Sequence, residues 1–133
     1  MLDTNTVSFA IRGSTSIDAK LKTLQPGEWC ISAVTYSEIL YGLHRRPEAV
    51  KLRRLVNSFL DVTPVMPWDR PAAEAHARLR ASLAMAGTPI GNADEMIAGH
   101  ALSLNAVLIT DNLRHFRYVK DLDVENWHKQ EKP

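Results

Sequence analysis

Four acidic residues sit in segments far apart along the chain: Asp3 in "MLDTN", Glu38 in "TYSEIL", Asp94 in "GNADEMIAGHA" and Asp111 in "LITDN". Brought together, such carboxylates repel one another and lose hydration, so they resist full ionisation unless a cation sits among them. An all-oxygen donor set suits Mg²⁺ or Mn²⁺, hard ions that keep several waters and bridge to substrate phosphates. Cys30 is the only cysteine, which excludes an intrachain disulfide and a cysteine-based zinc site. His44, His76, His115 and His128 have no partner at ligand spacing and read as structural. His100 follows Asp94 by six positions, about 120° away around a helix, and reads the same way.

Each acid also has a plainer explanation. Asp3 with Asn5 fits an Asx-type turn or a helix cap. Thr35 to Glu38 is formally a capping box. Asp94 in a first helical turn favours the helix dipole, an effect of about 0.3–1 kcal/mol. Asp111-Asn112 fits a turn after a strand. The case for chemistry rests on whether the four segments converge.

Convergence requires a fold that carries them to one edge. Short apolar runs alternate with helical patterns, the signature of an α/β architecture: a mostly parallel sheet with helices on both faces. Met1-Leu2 reads as the end of a first strand, Trp29 to Ser32 as a second, and Val62 to Met66 as a third, at an edge because of Pro64. Ala106 to Thr110, "AVLIT", reads as a strand buried on both faces. Helices are expected within Ser14 to Leu24, over Thr35 to about Arg45, and after Pro47, where Leu52, Leu55, Val56, Phe59 and Leu60 recur at helical spacing. Another opens at Asp69 and Pro71 and stops at Gly87, and a further one spans Asn92 to Leu104. In open α/β sheets, ligands bind beyond the carboxyl ends of the strands. Asp3 and Asp111-Asn112 follow their strands directly and so belong at that edge.

With 133 residues, 45% hydrophobic and 23% charged, the chain fits one domain over 1–133, with a polar, disorder-prone tail at about 128–133. The formal charge of +1 leaves nucleic-acid contacts to local patches. No apolar run approaches the ~18 residues of a spanning helix, and no secretion signal opens the chain, so a cytoplasmic location is expected.

The segments "MLDTN", "SAVTYSEILYGL", "GTPIGNADEMIAGHAL" and "LITDNLRHF", in that order and spacing, resemble the PIN-domain ribonucleases, and most closely the VapC-type toxins of bacterial toxin–antitoxin pairs. The resemblance runs from Met1 to about Trp127 and implies a PIN-like three-layer sandwich. It implies metal-binding roles for Asp3, for Glu38, and for Asp94 at the head of the Asp94 to Ala98 run. Thr110 and Asn112 match the family's Thr-x-Asp/Asn stretch. Asp111 falls one position earlier, where it acts through water or only shapes the turn. Thr4 and Asn5 correspond to groups that fix the first aspartate. Only two residues precede Asp3, where family members carry a full strand: either the true start lies upstream or the first strand is unusually short, and fraying there would loosen Asp3.

The function so implied is a Mg²⁺-dependent endoribonuclease (Mn²⁺ as the other candidate ion) acting on RNA, with a tRNA anticodon loop as substrate by analogy, and neutralised by a cognate antitoxin. Arg12, Arg45, Arg46, Arg114 and Arg117 are candidate phosphate contacts. Tyr36, Leu40 and Leu43 form an apolar strip suited to a homodimer or an antitoxin. Two other classes stay open. A receiver- or phosphatase-like phosphoryl-transfer domain wants paired acids at the first strand and a lysine after a late strand, whereas this chain has Asp-Thr-Asn and Arg114. A non-catalytic PIN-like binding module would lack one of the carboxylates.

Overall fold

Alternating side chains along short strands place apolar groups on both faces of one parallel sheet. The computed structural model describes residues 1–129. Its strands are β1 (Ile31–Ser32), β2 (Val65–Met66), β3 (Leu108–Ile109) and β4 (Val124–Glu125). β1 pairs with β2 and β3 with β4, all parallel, and Leu2 bridges Ile31 on one side and Ile109 on the other. The lateral order is therefore β2–β1–Leu2–β3–β4. The chain begins in the middle of its own sheet, and the order reverses beside Leu2, the place where such folds form a crevice.

The first strand is as short as its two residues require, but it is not frayed. Leu2 N–H donates to Cys30 O at 2.9 Å, Ile109 N–H to Met1 O at 2.8 Å, and Asp3 N–H to Ile109 O at 2.9 Å. The Met1 ammonium donates to Val107 O at 2.8 Å. Neighbours on both sides thus hold Asp3 in place, which strand length alone did not reveal. β2 lies at an edge as Pro64 demands, and Pro64 O still accepts from Ile31 N–H at 2.9 Å.

Seven helices cover the sheet among the described residues: α1 (Thr4–Ile11), α2 (Thr15–Lys22), α3 (Ala33–His44), α4 (Val50–Asp61), α5 (Arg70–Met85), α6 (Asn92–Ser103) and α7 (Leu113–Phe116). Two apolar clusters flank the strands. Met1 and Leu108 join α5, α6 and α7 through Leu79, Leu83, Ile97, Ala98, Ala101 and Phe116. Leu2, Ile31 and Ile109 join α1, α3 and α4 through Val7, Ile39, Leu43 and Val56. Successive strand residues feed opposite clusters, so the three layers follow from the two-residue period of the strands.

Several boundaries differ from expectation. Pro47 lies three residues ahead of α4 and not in its first turn. α1 shows no helical periodicity because "TNTVSFAI" is rich in Thr, Asn and Ser, poor helix formers; an Asp3 cap and the burial of Thr6 and Val7 make it helical. α7 has only four residues, too few to show a period. The first two residues of the polar tail are docked where they were expected to be loose: the His128 ring stacks on Phe9 at 3.8 Å between centroids, and Lys129 N–H donates to Ser16 Oγ at 2.9 Å. The rest of that tail lies outside the described residues.

α5 and α6 pack closely because Gly99 meets the backbone of His76. A Cβ there would lie 2.6 Å from His76 Cα. The α6 start is set by Gly91, whose φ of 105° is open to glycine and strained for other residues. These two glycines deliver Asp94 to the crevice.

Candidate active site

Asp3 leaves the central strand and enters α1 as its N-cap, with Oδ1 accepting from Thr6 N–H at 2.9 Å. The cap explanation is therefore correct for Asp3, and it also immobilises the carboxylate at the sheet edge. Thr110, fully buried, hydrogen-bonds the same carboxylate. Thr6 Oγ1 donates to Ile109 O at 3.1 Å, tying α1 to the end of β3. Burial pushes the Asp3 carboxyl above its ordinary range, the Thr110 and Thr6 hydrogen bonds partly offset this, and the Asp111 charge adds to the rise.

Glu38 comes from α3, whose N-cap is Ser32 and not Thr35. Glu38 therefore lies past the first turn, and the capping-box explanation fails for it. Its Oε1 accepts from Thr4 Oγ1 at 2.5 Å, and Thr4 Oγ1 lies 3.3 Å from Thr35 Oγ1. Thr4 holds Glu38 and not Asp3, contrary to expectation. Asn5 is exposed, and the group that fixes Asp3 is Thr6, three residues on, at the standard N-cap spacing.

Asp94 occupies the first turn of α6, beside Glu95. The two neighbours point to different tasks. Glu95 is buried, accepts from Ile90 N–H at 3.3 Å and faces Arg80 at 3.9 Å. Asp94 faces the crevice. Its carboxyl is raised first by burial, then by the Asp3 charge and, more weakly, by Glu38, with His115 opposing. Asp94, from α6, thus feels the charges of Asp3 at the end of the first strand and of Glu38 on α3.

Sequence spacing gives His115 no partner, and the structure corrects this: its Nδ1 stands 3.3 Å from Asp94 Oδ2. The placement is built by caps. Asn112 N–H donates to Thr110 Oγ1 at 3.0 Å, and Asn112 Oδ1 accepts from His115 N–H at 3.3 Å as the N-cap of α7. Asn112 is thus committed to turning the chain, and Thr110 links that turn to Asp3. The Asn112-to-His115 spacing is the sequence signal that could have found it. Asp111 is exposed, close enough for its charge to reach Asp3. His100 is structural as expected, buried with Nδ1 2.8 Å from Ser32 Oγ, so it joins α6 to the start of α3.

A groove of about 330 Å³ between α1, α3 and α4 begins at Thr4 and Glu38 and is lined by Arg12, Arg45 and Arg46. Arg114 and Arg117 do not line it. Arg117 donates to Tyr118 Oη at 2.7 Å and lies over that ring. Tyr36 is partly exposed, and Leu43 is buried in the core, so the strip expected along α3 is broken.

The donor chemistry fits a hydrated ion better than a closed cage. Among the described residues, no three Asp, Glu, His or Cys side chains stand close enough to hold one ion. Carboxylates that repel one another stay apart, and Mg²⁺ commonly takes one or two of them and keeps its waters.

The sequence matches the PIN domain over residues 1–122. The chain belongs to the PIN-domain family. This PIN domain is 36% identical over 127 residues to the tRNA(fMet)-specific endonuclease VapC of Salmonella typhimurium, covering 96% of each chain. A structure of DNA-bound VapBC from the same organism superposes with a TM-score of 0.89 over 96% of each chain, at 36% identity. A structure of VapBC2 from Rickettsia felis, bound to a DNA fragment from its promoter, gives the same TM-score at 29% identity, over 96% of this chain and 97% of that one. Among the described residues, no helix is long and apolar enough to cross a membrane.

Proposed function

We propose that this PIN domain is an endoribonuclease toxin of the VapC kind, hydrolysing RNA phosphodiester bonds and held inactive by a cognate antitoxin. The observation that supports the reading is that Asp3 and Glu38 both act on the Asp94 carboxyl, which burial and their charges push above its ordinary range. The full-length similarity to ribonucleases and to toxin–antitoxin complexes supports the class of activity and partner.

Asp3 and Asp94 would hold Mg²⁺ or Mn²⁺, with Glu38 reaching the ion through water. When bound, the ion acidifies a water and stabilises charge on the scissile phosphate. Thr6 and Thr110 fix the Asp3 carboxylate, and Thr4 fixes Glu38. Arg12, Arg45 and Arg46 offer cations to the RNA backbone along the groove that ends at Glu38. Single-stranded loops are the fitting target, because their bases are unstacked and the backbone can enter a groove. A tRNA is the first substrate to try, following the named specificity of the Salmonella relative.

The test is incubation with total RNA in Mg²⁺ or in EDTA, followed by sequencing of new 5′ ends. Discrete cleavage that needs the metal and is lost in Asp3→Asn and Asp94→Asn is the expected result. Cleavage that persists in both variants at wild-type rate would sink the assignment.

A further inference from the structure

Asp94 has a buried acidic neighbour, Glu95, that the proposed chemistry does not use. The start of α6 explains its burial. The first turn of a helix leaves N–H groups without partners inside the helix. A serine, threonine or aspartate just ahead of the helix usually takes one of them, but α6 follows Gly91, which has no side chain to offer. Asp94, third in the helix, stands where the acid of a capping box would fold back onto the helix start. It turns to His115 instead, with Oδ2 3.3 Å from Nδ1. Glu95 makes the return contact: its Oε1 accepts from the N–H of Ile90, just ahead of Gly91, at 3.3 Å.

We propose that Glu95 is a positioning residue for Asp94, holding the turn at Ile90 and Gly91 so that the Asp94 carboxylate stays turned to the crevice. The proposal rests on reading Asp94 as an active-site acid. Neighbouring residues leave a helix about 100° apart, so fixing the direction of one fixes that of the other. Glu95 is well placed to act as the fixed point. Ile90 is packed in the apolar cluster with Leu79, Leu83 and Ile97. Glu95 Oε2 also lies 3.9 Å from Arg80 Nε on α5, but Arg80 is exposed and that pairing is weak. The reach of the side chain and its acceptor oxygen therefore matter more than its charge. A displacement of about 1 Å at a reacting group costs about a hundredfold in rate.

Three variants of the full chain separate the alternatives. Glu95→Gln keeps reach and acceptor, Glu95→Asp keeps the charge but is a methylene short, and Glu95→Ala has neither. Each is read, after melting curves confirm that it is folded, by hydrogen exchange at the Ile90 amide, by Mn²⁺ affinity without RNA, and by kcat and KM for cleavage in Mg²⁺. In Glu95→Asp and Glu95→Ala the Ile90 amide should exchange faster, Mn²⁺ affinity and kcat should each fall about tenfold, and KM should stay within about twofold. Glu95→Gln should restore most of each. A folded Glu95→Asp protein with a fast-exchanging Ile90 amide and wild-type kcat and Mn²⁺ affinity overturns the proposal, leaving Glu95 a stabiliser of the helix start. Glu95→Gln as impaired as Glu95→Asp overturns it too, and this pair decides if Glu95→Ala fails to fold. Asp94→Asn is run alongside. Cleavage at wild-type rate in that variant removes the active-site reading itself, whereas a silent Asp94→Asn beside unaffected Glu95 variants removes only the positioning role.

Discussion

Replacing Asp94 by Asn separates chemistry from stability. In the metal-free protein, the carboxylate gains about 0.3–1 kcal/mol from the start of α6 and roughly 0–1 kcal/mol from a His115 pair that is 40% exposed on one side and 37% on the other. Against these stand burial and the charges of Asp3 and Glu38, which together hold its carboxyl above the ordinary range. Burial and like charge outweigh the His115 pairing, so Asn should match or slightly exceed wild type. The expected change is within about 1 kcal/mol, or roughly 4 °C in Tm. The pH dependence has a definite sign. A carboxyl raised on folding adds stability that is present below its unfolded pKa and lost as pH rises through the folded one. Any advantage of Asn in EDTA is therefore largest near neutral pH and shrinks as pH falls towards about 4. RNA cleavage should meanwhile drop roughly a thousandfold, the worth of several kcal/mol of metal-assisted stabilisation. Melting curves across pH and a cleavage assay on one RNA measure both. A Tm loss above about 10 °C with cleavage intact would refute the reasoning and make Asp94 a helix-start residue only.

Thr110→Val keeps the shape but strips Asp3 and the Asn112 N–H of one partner, so a loss of about 1–3 kcal/mol with reduced cleavage is expected, and Thr110→Ser should restore most of both. Chemical denaturation and initial rates read the two effects. Gly99→Ala should cost about 1–3 kcal/mol, because the new Cβ meets the His76 backbone at 2.6 Å; an unchanged melting temperature would show that α5 and α6 part easily. The Arg45→Ala, Arg46→Ala double variant should weaken RNA binding and flatten its salt dependence by roughly 0.7 for each phosphate that is no longer neutralised. Binding to catalytically silent Asp94→Asn protein at several salt concentrations tests this.

Much of the site was legible in the residues themselves. Asp3 and Asp111 follow apolar runs, Asp94 opens a helix, and Pro71 and Gly87 punctuate theirs by local stereochemistry. The three-layer fold was legible for the same reason: periods of 2 and 3.6 depend on which side of an element a residue faces. α1 was not, because its helicity is owed to the Asp3 cap and to burial of Val7, a tertiary gain that overrides poor propensity. Nor was the grip on the central strand, which comes from carbonyls of Cys30, Val107 and Ile109. The role of His115 stayed hidden because its partner lies 21 positions back along the chain and meets it only across the sheet edge. The identity and order of the acids, and hence the sign of the charge to be balanced, belong to the sequence alone. Which atoms share the crevice was decided by the tertiary structure, since burial and strand order set the distances through which charges repel and ligands meet.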